Sequence, residues 1–297
     1  MAYLIADQLV DSWTLHLRAE RKSPQTIKSY LAGLSGYTDW CSASGLEPEL
    51  TRAGINGYVA GLLDAGREPA TARARQLSLR RFSAWLVEEG EIDVDPLLGL
   101  KPPKLDSKVI QPLTEDQLKA LLKACAGRDL RDRRDEAIVR FMLETGARAG
   151  EVAVLQVDDV NLVNQVAIVR RGKGGKGRSV PFGPQTAVAI DRYKRERSKH
   201  KYSARPDLWL GSRQNGFTYD ALHKSLEGRA RKAGIVGFHP HLLRHTAAHR
   251  WLAAGGSEGG LMAVAGWTRP DMLQRYTKAQ ASERAAAEAR GLNLGDI

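Results

Sequence analysis

Residues 239–256 read HPHLLRHTAAHRWLAAGG, followed by LMAVAGW at 261–267 and TRPDMLQRYT at 268–277. His241, Arg244 and His245 stand three and four residues apart. On an α-helix that spacing projects side chains from one face, where they can converge on a single anion. Far upstream, TGARAGE (145–151) offers Arg148 and Glu151 at the same three-residue spacing, and RGKGGKGR (171–178) offers Lys173. Guanidiniums and ammoniums are the groups that hold a phosphate. Tyr276, nine residues after Trp267, adds a hydroxyl of the kind that can serve as a nucleophile.

The charge points to a polyanion. The 297 residues carry 45 Lys and Arg against 34 Asp and Glu, a net charge of +11, and a surplus of this size recruits nucleic acid and neutralises phosphates. It is unevenly placed. Residues 1–104 hold 12 basic against 13 acidic residues, whereas 165–205 hold 12 against 2. Cys41 and Cys125 are too few for a disulfide framework and fit a reducing compartment. No apolar run reaches the roughly 18 residues of a membrane span, and MAYLIADQLV lacks a basic segment before its apolar residues. The expectation is a cytoplasmic protein without membrane contact, on the nucleoid when bound to DNA.

The chain is expected to be mainly α, in two domains: 1–106 and 107–297. Leu4, Leu9, Trp13 and Leu17 recur at helical spacing. Ser23 then caps a second helix with Pro24 at its first position. Helices over 51–65 and 69–89 complete a four-helix domain, with Gly45, Gly66 and Gly90 as punctuation. In the fourth helix Leu79, Phe82 and Leu86 form the core stripe, and Arg73, Gln76 and Arg80 are assigned to another face. Residues 93–114, rich in Pro, Gly and Lys, read as a linker, and Thr114 caps a new helix. The second domain is α+β. Helices over 114–126 and 132–145 end at Gly146. Three β-branched runs follow, VAVLQVDDV, QVAIVR and RSVPF, as a small antiparallel meander, and the chain is helical again from about Thr186. GGSEGG at 255–260 is expected to soften the helix that delivers Trp267.

Two motifs are set aside. GKGGKG (172–177) matches the dinucleotide fingerprint literally, but RSVPF resumes a strand where the fingerprint needs a helix N-terminus. What remains is a hairpin turn presenting Lys173 and Lys176. His239, His241, His245 and His249 have zinc-like spacing, yet no Glu stands in an H-E-x-x-H frame, no Cys is near, and Arg244 would repel a cation. No metal and no cofactor are expected.

Taken in order, Arg148 in TGARAGE, Lys173 before RSVP, His241 and Arg244 in HPHLLRHT, Trp267 in AGW and Tyr276 resemble the catalytic set of the tyrosine recombinase (phage integrase) family. The first hundred residues, especially RKSPQTIKSYLAGLSGYTDW, resemble that family's core-binding domain. One position departs: where many members carry histidine in LGH, this chain has Ala265-Gly266-Trp267, as in Cre-like members. Indole N–H donates only, so no proton shuttle is available there.

The resemblance implies a site-specific DNA recombinase working through a 3′-phosphotyrosyl intermediate and a Holliday junction. Four protomers would assemble on two double-stranded DNA sites, and the two domains would clamp the duplex. Arg148 and Arg244 would hold the phosphate with Trp267 as a neutral donor, Tyr276 would attack, His241 would take its proton, and Lys173 would protonate the leaving oxygen. Glu151 and His245 would support them. DNA contacts would come from Lys28, Arg73, Gln76, Arg80, Lys101, Lys104, Lys176 and Arg178. About a hundred residues before the linker leave no room for an arm-binding domain, so a simple integrase or a Xer/Cre-like enzyme is expected. The tail after Tyr276 would dock on a neighbouring protomer. A type IB topoisomerase-like enzyme and a non-catalytic DNA-binding regulator remain open at this point.

Overall fold

The computed structural model describes residues 7–105, 110–170, 177–211 and 216–269, together with Leu273 and Arg290. Lys173, Lys176, Tyr276, residue 107 at the expected domain boundary, and the tail apart from Arg290 lie outside the described residues. The chain divides into two compact units, Met1–Lys108 and Val109–Ile297.

The first unit contains α1 (Asp7–Ala19), α2 (Pro24–Ala43), α3 (Arg52–Asp64) and α4 (Pro69–Glu88). Local chemistry starts α2: the Ser23 hydroxyl accepts from Thr26 N at 3.1 Å, and Pro24 has no N–H to leave unpaired. Trp13 is the pivot of the core, with its ring 5.2 Å from Phe82 and 5.6 Å from Tyr30. Leu79, Phe82 and Leu86 of α4 are fully buried.

Gln76 is buried with them, at 1% exposure, and its side-chain amide donates to Lys101 O at 3.2 Å. This corrects its assignment to a DNA-facing surface. The reason is geometric: Ala72, Gln76, Leu79, Ser83 and Leu86 alternate steps of four and three, so Gln76 belongs to the core stripe. A second correction concerns the linker. Its first part packs back on the unit: Leu97 and Leu100 are buried, Asp95 receives Leu97 N and the Ser83 hydroxyl, and Arg52 donates to Pro96 O and Leu98 O.

The second unit opens with α5 (Glu115–Ala124), started by a full capping box between Thr114 and Gln117. Next come α6 (Leu130–Thr145) and α7 (Ala149–Ala153), then β1 (Val160–Asn161), β2 (Val166–Val169) and β3 (Arg178–Pro181), and then α8 (Pro184–Arg197), α9 (Tyr219–Lys232), α10 (Pro240–Ala253) and α11 (Glu258–Ala265). The strands form an antiparallel meander in the order β1-β2-β3, with Ala167 opposite both Val160 and Val180. VAVLQVDDV contributes only its last part to that sheet. Most of it forms α7 and a 3-10 turn at Val157–Asp159, because Glu151 caps the turn at Arg148 and local capping overrides the β-branched run.

Helix α6 is the central element, with Ile138, Val139, Phe141 and Met142 fully buried and both α8 and α10 packed on it. At its N-terminal half Asp135, 0% exposed, accepts from Arg134, Ser225 and Arg229. This buried network fastens α9 to α6. Among the described residues no helix is long and apolar enough to cross a membrane.

Candidate active site

Helix α6 ends where Gly146 takes the left-handed conformation, φ 60°, and the chain turns directly into α7. Arg148 stands at that helix's N-cap. Its backbone N–H donates to Glu151 Oε2 and its Nη1 to Glu151 Oε1, both at 2.9 Å. Glu151 thus fixes the backbone and the guanidinium of Arg148 together.

Helix α10 begins with His239 at the N-cap and Pro240 at the first position. Arg244 follows one turn on, buried at 1% exposure, and its Nη1 donates to Gly146 O at 2.6 Å. That bond brings Arg244 to the same turn that presents Arg148, across 98 residues of chain. Trp267 is buried at 5%, and the Arg244 Cζ lies 5.2 Å from the centroid of its ring. The tryptophan follows Gly266, whose φ of 66° closes α11. His241 is exposed near the start of α10, and its ring meets that of buried His245 edge-on at 4.7 Å. Two guanidiniums, an indole and an imidazole are therefore grouped about the Gly146 turn and the N-terminal half of α10.

Electrostatics at Glu151 favour the carboxylate. Burial alone pushes its carboxyl up, but the Arg178 side-chain hydrogen bonds, then the Arg148 backbone N–H, the Arg178 charge and the Arg148 side-chain hydrogen bond bring it below the ordinary value.

Arg178 corrects the sequence reading. Expected at a DNA phosphate, it instead turns inward. Its Nη1 and Nη2 fork onto Glu151 at 3.0 and 2.8 Å, and its Nε donates to Val264 O at 2.8 Å. The signal was present in the strand alternation: Arg178 is two residues from fully buried Val180, hence on the same face of β3. Of the other residues expected at DNA, Lys28, Arg73, Lys101 and Lys104 are exposed and Arg80 is half-buried.

Two further contributions went unread. Thr246, in the quoted HLLRHT segment, accepts from Leu113 N at 3.0 Å and donates to Leu242 O at 2.9 Å. It thereby ties the entry of α5 to α10. Within GGSEGG, Gly256 has a packing role. Ser257 caps α11, and a Cβ at Gly256 would fall 2.3 Å from the Trp251 indole nitrogen, so close packing requires the glycine.

Residues 111–283 match the phage integrase family, and residues 10–90 match the phage integrase N-terminal SAM-like domain. The tyrosine recombinase XerD of Bifidobacterium longum (strain NCC 2705) is 30% identical over 285 residues, which cover 91% of this chain and 92% of the relative. Among solved structures, the XerH site-specific recombinase bound to a palindromic difH substrate in a post-cleavage complex superposes with a TM-score of 0.71. It is 18% identical, over 89% of this chain and 79% of that one. A lambda integrase tetramer bound to a Holliday junction gives a TM-score of 0.68 at 15% identity, over 88% of this chain and 77% of that one. The two-unit helical fold with its small meander is thus shared with integrases, and this chain belongs to the phage integrase family as a tyrosine recombinase, an enzyme of site-specific recombination that cleaves and rejoins DNA strands.

Proposed function

We propose that Tyr276 attacks a DNA phosphodiester held by Arg148 and Arg244. The observation that carries this is the bond from Arg244 Nη1 to Gly146 O, two residues before Arg148. It braces two guanidiniums from distant segments on one turn. In-line attack concentrates negative charge on the non-bridging oxygens, where forked guanidinium donors stabilise the transition state. Trp267 adds a neutral N–H donor.

A free tyrosine titrates near pH 10, so its proton needs an acceptor at neutral pH. Exposed His241 takes that part. The Tyr276 oxygen bonds to phosphorus, the bond to the 5′ oxygen breaks, and that oxygen leaves with a proton from Lys173 as general acid. The product is a 3′-phosphotyrosyl linkage and a free 5′-hydroxyl, and the reverse reaction with a different strand completes the exchange. Four protomers on two specific duplex sites would pass through a Holliday junction, and the tail after Tyr276 would join neighbouring protomers. In the first unit Lys28, Arg73, Arg80, Lys101 and Lys104 supply phosphate contacts, as does Lys176 in the second. The work belongs to the nucleoid in the cytoplasm.

The test is incubation of the full chain with a nicked duplex selected from random-sequence DNA by binding to it, followed by denaturing electrophoresis. A protein–DNA adduct that disappears in Tyr276→Phe is expected. Absence of any adduct would leave a DNA-binding regulator. Relaxation of supercoiled plasmid without a second site would point to a topoisomerase.

A further inference from the structure

We infer that Arg178 is a positioning residue for strand cleavage: it sets Arg148 through Glu151, and through Val264 O it sets the turn that presents Trp267. The inference rests on the reading of Arg148 and Trp267 as phosphate-binding groups.

The geometry leaves little slack. Each oxygen of Glu151 serves both arginines. Oε1 accepts from Arg178 Nη1 at 3.0 Å and Arg148 Nη1 at 2.9 Å, and Oε2 accepts from Arg178 Nη2 at 2.8 Å and the Arg148 backbone N–H at 2.9 Å. A forked pair fixes the plane and rotation of a carboxylate, which a single ammonium cannot do. With Glu151 only 6% exposed, no solvent stands ready to replace the fork. Arg148 is therefore aimed by a carboxylate that is itself aimed by Arg178.

The third nitrogen extends the same reference to α11. Arg178 Nε donates to Val264 O at 2.8 Å, and the guanidinium lies against the cap residue Gly266. A Cβ at Gly266 would fall 2.9 to 3.0 Å from its Cζ, Nε and Nη1. Glycine is required there twice, by the positive φ and by this close approach. One guanidinium on β3 thus relates the N-terminus of α7 to the C-terminus of α11, the elements that carry Arg148 and Trp267. All three of its nitrogens face internal acceptors, and its side chain is 13% exposed, which is the environment of a brace and not of a phosphate contact.

The experiment compares the full chain with Arg178→Lys, Arg178→Met, Glu151→Gln and the Arg178→Lys/Glu151→Gln pair on the same selected nicked duplex. Single-turnover adduct formation, DNA affinity across a salt series and thermal melting are measured. Misplacing a reacting group by about 1 Å costs on the order of a hundredfold. Cleavage by Arg178→Lys should therefore fall about ten- to a hundredfold, with affinity and salt slope unchanged. Adding it to Glu151→Gln should cost less than the product of the two single losses, because both variants break the contact that sets Arg148 and only the Val264 contact is lost in addition.

Full cleavage by Arg178→Lys would overturn the inference, since charge alone would suffice. A lower affinity with a flatter salt slope would overturn it in favour of a phosphate contact, and additive losses would overturn the route through Glu151. If Arg178→Met fails to fold, the lysine variant and the pair still decide. Arg148→Ala and Tyr276→Phe are run beside them. Wild-type cleavage by either would refute the catalytic reading itself, a result separable from every outcome for Arg178.

Discussion

Replacing Asp135 by Asn should cost the second unit about 3 kcal/mol without touching the chemistry. Asp135 is 0% exposed and accepts from Arg134 Nε and Nη2 at 3.0 and 2.8 Å, from Arg229 Nε at 2.8 Å and from the Ser225 hydroxyl at 2.9 Å. Asparagine keeps the shape, removes the charge and turns an N–H₂ toward guanidiniums that are each 6% exposed. Leaving a buried charge uncompensated costs about 3–5 kcal/mol. The lower end applies because each arginine keeps other partners. Arg229 retains Asp132 and Ala124 O, and Arg134 retains Leu210 O and the Phe217 ring, 3.8 Å from its Cζ. For a unit of this size each kcal/mol lowers the melting midpoint by about 2–4 °C, so calorimetry should show a fall of roughly 6–12 °C. Adduct formation well below the transition should be unchanged, since Asp135 bonds to no residue of the Gly146 turn. A loss under about 1 kcal/mol would refute the claim that this carboxylate compensates both arginines.

Glu151 titrates below the ordinary carboxylate value in the folded chain. It therefore adds stability that is present above that value and lost as pH falls through the lowered one. Acid unfolding of Glu151→Gln should show a shallower pH dependence in this range, and parallel curves would contradict it. Neutralising Arg73 and Arg80 together should flatten the salt dependence of DNA binding by about one unit of log–log slope per lost phosphate contact. Gln76→Leu, at a buried site, should leave that slope alone. Replacing the bridging 5′ oxygen by sulfur should rescue cleavage by Lys173→Ala but not by Tyr276→Phe, because a thiolate departs without a proton. Equal loss on both substrates would remove Lys173 from general-acid duty.

What was legible in the sequence was mostly local. Ser23 with Pro24, Thr114 with Gln117 and the stop at Gly146 are each decided within four residues by capping chemistry, and the structure realises them. The order of arginine, histidine, arginine, tryptophan and tyrosine was equally readable. What failed depended on long-range contacts. Leu97 and Leu100 carry no periodic signal, and only the first unit's core and Arg52 make an ordered return of the expected linker. Gln76 shares helical spacing with Arg73 and Arg80 on one side and with Ala72, Leu79 and Ser83 on the other, and only the packing of the first unit shows that it belongs to the core stripe. Thr246 revealed nothing locally, because its partner Leu113 lies 133 residues away.

Arginine also limits how charge can be read. The 12 basic residues over 165–205 suggested a field aimed at DNA, but several are committed inward. Arg178 is bound to Glu151, and Arg197, at 7% exposure, donates to the carbonyls of Ser203, Arg205, Asp207 and Leu208. Arg170, Arg195, Lys199 and Arg205 pair with Asp159, Asp191, Glu196 and Asp207. A guanidinium's fan of donors makes it the natural knot for a loop of unpaired carbonyls, and Arg197 ties 203–208 in that way. Arg192, Lys194 and Lys201 carry no ion pair among the described residues, and exposed Arg195 and Lys199 hold only surface pairs that a phosphate can displace. The net charge of the segment still attracts DNA at a distance, because paired charges cancel and the surplus does not. Which cation touches a phosphate is decided by burial, and there the count of residues carries no information.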